Sequence, residues 1–113
     1  MSATFEIKDG VGLVTLIGPL TAGQVDAFRA EFNEWHKNSE VFRNVVLDCH
    51  GIDFIDSSGL GALIALLKRV TERGGDLKLA CLPKKVRMVF EITRAYKIFQ
   101  ICDTVEEALQ ACQ

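Results

Sequence analysis

The chain has 113 residues, 49% hydrophobic and 25% charged, with a formal net charge of −2. That length suits one core and a single domain over residues 1–113, and that balance excludes a disordered chain. No apolar run approaches the roughly 18 residues of a membrane span, no signal peptide opens the sequence, and the near-neutral charge makes no case for nucleic acid. A cytoplasmic protein with no membrane or nucleic-acid partner is the expectation.

The chain opens with two β-rich runs, "TFEIK" and "VGLVTLIG", split by Asp9-Gly10, a dipeptide suited to a tight hairpin turn. Pro19 closes the second run. In "TAGQVDAFRAEFNEWHKN" the apolar residues Val25, Phe28, Phe32 and Trp35 recur at spacings of three, four and three, one face of a helix, with Thr21 as its expected N-cap. "RNVVLDC" reads as a buried strand, and "HGIDFID" as the loop after it. Leu60, Leu63, Ile64, Leu67 and Val70 then run at helical spacing until Gly74-Gly75 ends the helix. "DLKLACL" is a further strand. Pro83 suits the first turn of a helix with Val86, Val89 and Phe90 on its apolar face. "KIFQI" reads as a short strand, and "TVEEALQAC" as a last helix capped by Thr104. The order β-β-α-β-α-β-α-β-α predicts an α/β fold with about four helices. Its mixed sheet is parallel after the opening hairpin, with right-handed crossovers.

Charge is distributed unevenly. Residues 1–56 carry 4 basic and 9 acidic side chains, a net of −5, whereas residues 57–113 carry 9 and 6, a net of +3. Lys68, Arg69, Arg73, Lys84, Lys85 and Arg87 are candidates for a basic patch, against the plainer reading of solvated helix faces. The four cysteines form no C-x-x-C pair, and Cys49 and Cys81 lie inside apolar runs. They are expected to be reduced thiols, with no metal site.

Chemistry concentrates in "FIDSSGLGALIALL", residues 54–67. A serine nucleophile needs a base within reach, and the chain has only His36 and His50. His36 falls late in the first helix. His50 ends a strand whose loop leads to Ser57. The nucleophile-elbow pattern G-x-S-x-G is absent, because both serines precede the first glycine. A phosphate-cradling loop fails for want of a lysine before Lys68. A dinucleotide loop fails because residue 64 is Ile where a third glycine is required. Asp56, Ser57 and Ser58 are all N-cap types at the start of a helix. Gly59 and Gly61 in its first turns cost roughly 1 kcal/mol each against alanine, so they point to close approach by another backbone or by a partner. A serine at a helix N-terminus is well placed to carry phosphate, which the exposed N–H groups and the helix dipole favour.

"FIDSSGLGALI" resembles the D-S-[ST]-G-L-G motif of the STAS-domain family, specifically its stand-alone bacterial anti-sigma-factor antagonists. The likeness extends to the opening hairpin, the "GPL" turn, the "NVVLD" strand and the Gly-Gly break. It implies a STAS-like fold and a regulator with no catalytic residues, no cofactor and no metal. The implied partners are an anti-sigma factor that doubles as a serine kinase, and a serine phosphatase. Ser57 matches the phosphorylated serine of the motif. Ser58, Gly59, Leu60 and Gly61 would shape the contact surface beside Asp56. The unmodified form would bind the kinase, phosphorylation would release it, and the phosphatase would restore binding. An alternative is a STAS scaffold module in a signalling assembly or beside a transporter. One position departs from the family pattern: after the second strand the chain reads Gly18-Pro19-Leu20-Thr21, so Thr21 stands where an acid is usual. Oligomeric state is left open.

Overall fold

In the computed structural model, which describes residues 1–38 and 40–113, the hairpin consists of β1 (Ser2–Lys8) and β2 (Val11–Ile17). Lys8 pairs with Val11 across a two-residue turn. Asp9 and Gly10 both adopt positive φ, 55° and 78°, the conformation whose twist matches that of paired strands. Parallel strands follow: β3 (Val45–Gly51), β4 (Leu77–Ala80) and β5 (Gln100–Cys102). They add in sequence order to give one five-stranded sheet, β1-β2-β3-β4-β5, antiparallel only at its first pair. The expected mixed α/β fold is the one observed.

Among the described residues, four helices cover the sheet: α1 (Val25–Lys37), α2 (Ser57–Glu72), α3 (Lys84–Ile92) and α4 (Val105–Ala111). Strand alternation sends Val14, Leu16, Val45, Leu47, Leu77 and Leu79 into one large core with Phe28, Phe32, Leu63, Leu66 and Phe90 from α1, α2 and α3. The opposite face holds a smaller cluster, in which Ala108 and Leu109 of α4 meet Val11, Leu13, Val46 and Ala80. Phe28, Phe32 and Phe90 are fully buried, each a gain of about 2–3 kcal/mol from the removal of apolar surface from water.

Helix ends follow from local chemistry. Asp56 caps α2, and Thr104 caps α4 through the Glu107 N–H at 3.1 Å. At the far end of α2, Gly74 (φ 85°) donates to the Thr71 carbonyl and Gly75 to the Val70 carbonyl, a closed Schellman turn. Pro83 sits at the N-cap of α3 with extended ψ, one residue before the first turn.

Two sequence expectations are corrected. Thr21 does not cap α1. The Gln24 side chain folds back to accept from the Thr21 backbone N–H and from its hydroxyl, which spends that hydroxyl as a donor. The chain then makes a further turn, and the helix starts at Val25 with Gln24 in the cap position. "KIFQI" is a strand only from Gln100. A 3₁₀ turn over Ala95–Lys97 precedes it, entered through Arg94 at φ 62°. Phe99 instead packs edge-on against Phe90 in the core.

Candidate functional site

The C-terminal ends of β2 and β3 bring the motif together with the segment that follows β2. The Gly18 N–H donates to the Gly51 carbonyl at 2.8 Å, and the Leu20 N–H to the Phe54 carbonyl at 2.8 Å. Leu20 and Ile55 form a parallel bridge, with both side chains buried. This zipper delivers Asp56 to the start of α2 with extended backbone.

The Asp56 carboxylate ties the two segments. One oxygen accepts from the Gly59 N–H at 2.8 Å, the other from the Ala22 N–H at 3.1 Å. The Gly59 bond, supported by Ala22 and Ser58, holds this carboxyl below the usual range against a smaller opposing effect of desolvation, so it stays ionised at neutral pH. Ser57 is the first helical residue and Ser58 the second, and both are exposed. Neither hydroxyl makes a hydrogen bond among the described residues.

The two glycines serve different ends. A methyl group on Gly59 would stand 2.1 Å from the Leu20 carbonyl oxygen. The close approach that this glycine permits is therefore by the protein's own backbone, rather than by a partner. A methyl group on Gly61 would meet nothing within 4 Å beyond its own turn of helix, and the residue is exposed. Leu60 points inward, 8% exposed, as part of the large core. Thr21 is half-buried, next in chain to the Ala22 N–H that Asp56 engages. The residues singled out in the sequence thus form one corner of the molecule. Ser57, Ser58 and Gly61 lie on its surface, Gly59 and Leu60 beneath, and Asp56 and Thr21 at the side.

Phe54 belongs to this corner and was not assigned a role from the sequence. Its side chain is 58% exposed while its neighbour Ile55 is buried. Strand alternation carries the signal, since a buried Ile55 requires Phe54 to face out.

Neither histidine serves Ser57. His50 is exposed, and its Nδ1 lies 2.8 Å from the Asp48 carboxylate of the same strand. His36 is buried between α1 and α2, where its Nδ1 accepts from the Arg69 Nε at 3.1 Å, and Arg73 donates to its backbone carbonyl at 2.6 Å. These contacts also divide the candidate basic patch: Arg69 and Arg73 turn toward α1, whereas Lys84 and Lys85 are exposed at the start of α3. Among the described residues no cluster of three or more histidine, cysteine or carboxylate groups can hold a metal ion, and no helix is long and apolar enough to cross a membrane. The four cysteines are unpaired thiols.

Comparison with known proteins agrees with this geometry. The family model for the STAS domain matches residues 2–108. The BtrV protein of Bordetella bronchiseptica, named as a candidate anti-sigma factor antagonist, is 32% identical over 111 residues, covering 98% of this chain and 94% of its own. The anti-sigma F factor antagonist of Paenibacillus polymyxa is 28% identical over 100 residues, 88% of this chain and 85% of its own. Among solved structures, the anti-sigma factor antagonist SpoIIAA in its unphosphorylated form superposes with a TM-score of 0.80 over 97% of this chain and 95% of its own, at 21% identity. With the hairpin-led mixed sheet, the capped motif helix and a family match over nearly its full length, the chain belongs to the STAS-domain family.

Proposed function

We propose that this chain is an anti-sigma-factor antagonist switched by phosphorylation of Ser57. Unmodified, it holds an anti-sigma factor that also acts as a serine kinase. With phosphate on Ser57 it lets that partner go, and a serine phosphatase resets it. Relatives named as antagonists support the role. The observation that carries the switch is the exposed, unbonded Ser57 hydroxyl at the first position of α2, beside an ionised carboxylate.

Both Asp56 oxygens are already committed to backbone N–H groups. A phosphate on Ser57 adds about −1.5 to −2 charges next to that carboxylate, and these point outward. The remaining N-terminal amides and the helix dipole favour the added charge, so the fold tolerates it. A partner packed on Ser58, Gly61 and the exposed Phe54 ring meets that charge directly and is expelled. Both histidines are engaged elsewhere and the Asp56 oxygens accept from backbone N–H groups, so Ser57 is read as the acceptor of its kinase's phosphate and not as a nucleophile of this chain.

The test uses the kinase that co-purifies with the unmodified protein. With ATP, one phosphate per chain is expected on the wild type and none on Ser57→Ala. Ser57→Asp should melt close to the wild type and fail to retain the kinase. Label persisting on Ser57→Ala removes the site, and undiminished capture by Ser57→Asp removes the switch. Thr21, neutral and closed onto Gln24 where an acid is usual, is the feature that favours the alternative scaffold role. A partner held through this corner with no kinase acting on Ser57 would support that role.

A further inference from the structure

The two edges of the sheet carry different surfaces. Beside the edge strand β1, against the second half of α1, lies an open hollow of about 1000 Å³. Phe5, Ile7, Trp35 and Val41 give it an apolar floor and wall, and Glu31 and Glu40 stand in its lining. Ile7 is 49% exposed and Val41 69%. Glu34 also lines it but pairs with Lys37 at 2.9 Å, whereas Glu31 and Glu40 make no salt bridge among the described residues. Toward the other edge, the end of α3 and the 3₁₀ turn before β5 expose Ile92 (78%), Tyr96 (47%) and Ile98 (52%). Arg94 and Lys97 are interspersed among them and are exposed, with Glu91 as the nearby acid in sequence.

Each surface is apolar where a soluble monomer is normally polar, which marks contact surfaces. They differ in charge and match in character: an apolar hollow bordered by carboxylates, and an apolar projection bordered by cations. We infer that the projection of one copy of this chain docks in the hollow of the next. Such a contact is head-to-tail, using two different patches, so it builds open rows and not a closed pair. The row runs along the hydrogen-bonding direction of the sheet, because the patches belong to its two opposite edges.

Both patches also lie at the same end of the sheet. Ile7 pairs with Gly12 near the start of β2, and the 3₁₀ turn leads into the start of β5. Ser57 follows the opposite, C-terminal ends of the strands. Row formation therefore leaves the Ser57 corner of every copy uncovered, and the inference stands apart from the switch.

The experiment is sedimentation of the full chain from micromolar to millimolar concentration, with Val41→Lys and Ile92→Glu as exposed substitutions that place the wrong charge in each patch. Parent protein should show mass rising with concentration, and the rise should shrink in about 1 M salt, where the Debye length is about 3 Å. Each variant alone should remain monomeric with an unchanged circular dichroism spectrum. Mixed, they should form a 1:1 dimer that grows no further, because Val41→Lys keeps a good projection and Ile92→Glu keeps a good hollow. A parent that stays monomeric at millimolar concentration overturns the inference. So does association that ignores either variant, or a mixture that stays monomeric. Ser57→Asp should associate like the parent; a loss there would also overturn it, by placing the contact at the switch corner.

Discussion

Gly59 and Gly61 are two residues apart in one helix and predict opposite outcomes for the same substitution. At Gly59 an added methyl meets the Leu20 carbonyl, a backbone atom fixed by the Leu20–Phe54 and Leu20–Ile55 pairing. Gly59→Ala should therefore cost about 1–3 kcal/mol, the usual range for overpacking a tight site. At Gly61 the methyl enters open solvent, and Gly61→Ala should add about 0.5–1 kcal/mol by restricting the unfolded chain. Urea unfolding of both variants tests the pair. If Gly61 gives clearance to a partner, the more stable variant should also bind the kinase less tightly. The sequence showed that both glycines were costly for a helix, and for that reason pointed to close approach. It did not show whose backbone approached, because the contact to Gly59 comes from Leu20, 39 positions earlier in the segment paired beside it. The place of Ser57 at a helix start was legible because a helix start is a local event. Phe54 was not, because its exposure depends on which strand residue faces the core.

At the scale of elements, legibility followed the reach of the interactions. The hairpin turn, the motif cap, the Gly-Gly stop and the Thr104 cap each span a few residues and were read correctly. The start of α1 failed because two side chains, Thr21 and Gln24, bond each other instead of the helix end. The segment before β5 failed because Phe99 is drawn into a distant aromatic contact. The same view singles out Asp56 as the link between α2 and the segment before α1. Asp56→Asn keeps an acceptor for the Gly59 N–H but sets an NH₂ group against the Ala22 N–H. It should lower stability, and Asp56→Ala should lower it further. Hydrogen exchange should resolve the two halves of the link. Asp56→Asn is expected to speed exchange at Ala22 more than at Gly59, and Asp56→Ala to speed both. Equal protection of Ala22 in all three proteins would mean that the carboxylate does not join the segments.

Across the whole molecule, a mixed sheet that is parallel after its hairpin was legible from the alternation of strand and helix, and the uneven charge from simple counting. What counting could not show is that Arg69 and Arg73 of the basic half turn back onto α1, or that one polar ring is buried where α1 packs on α2. His36 is 2% exposed, against the Phe32 and Phe42 rings, with Arg69 and Arg73 facing it from α2 and Glu40 and Arg43 lining the adjacent hollow. Burial first, then the positive charges of Arg73 and Arg69, lower its pKa from the ordinary 6.5 to about 4. The Arg69 bond fits that state, since a neutral ring nitrogen accepts from a guanidinium and a protonated one cannot. Between these two values the unfolded chain binds a proton that the folded chain refuses, so stability rises with pH across that window. The contribution is fully present above about pH 6.5 and is lost as pH falls toward 4, a change of at most about 3 kcal/mol at 1.36 kcal/mol per pH unit. The carboxyls with lowered values, Glu34 and Asp56, begin to lose their contribution only near their ordinary values of 4.5 and 3.8, at the acid end of that window. The fall between about pH 6.5 and 5 therefore belongs to His36. Urea unfolding at pH 7, 5.5 and 4.5 should show a steady fall for the wild type and a nearly flat profile for His36→Gln, whose amide oxygen still accepts from Arg69 and does not titrate. A His36→Gln profile as steep as that of the wild type would assign the acid sensitivity to groups elsewhere in the fold.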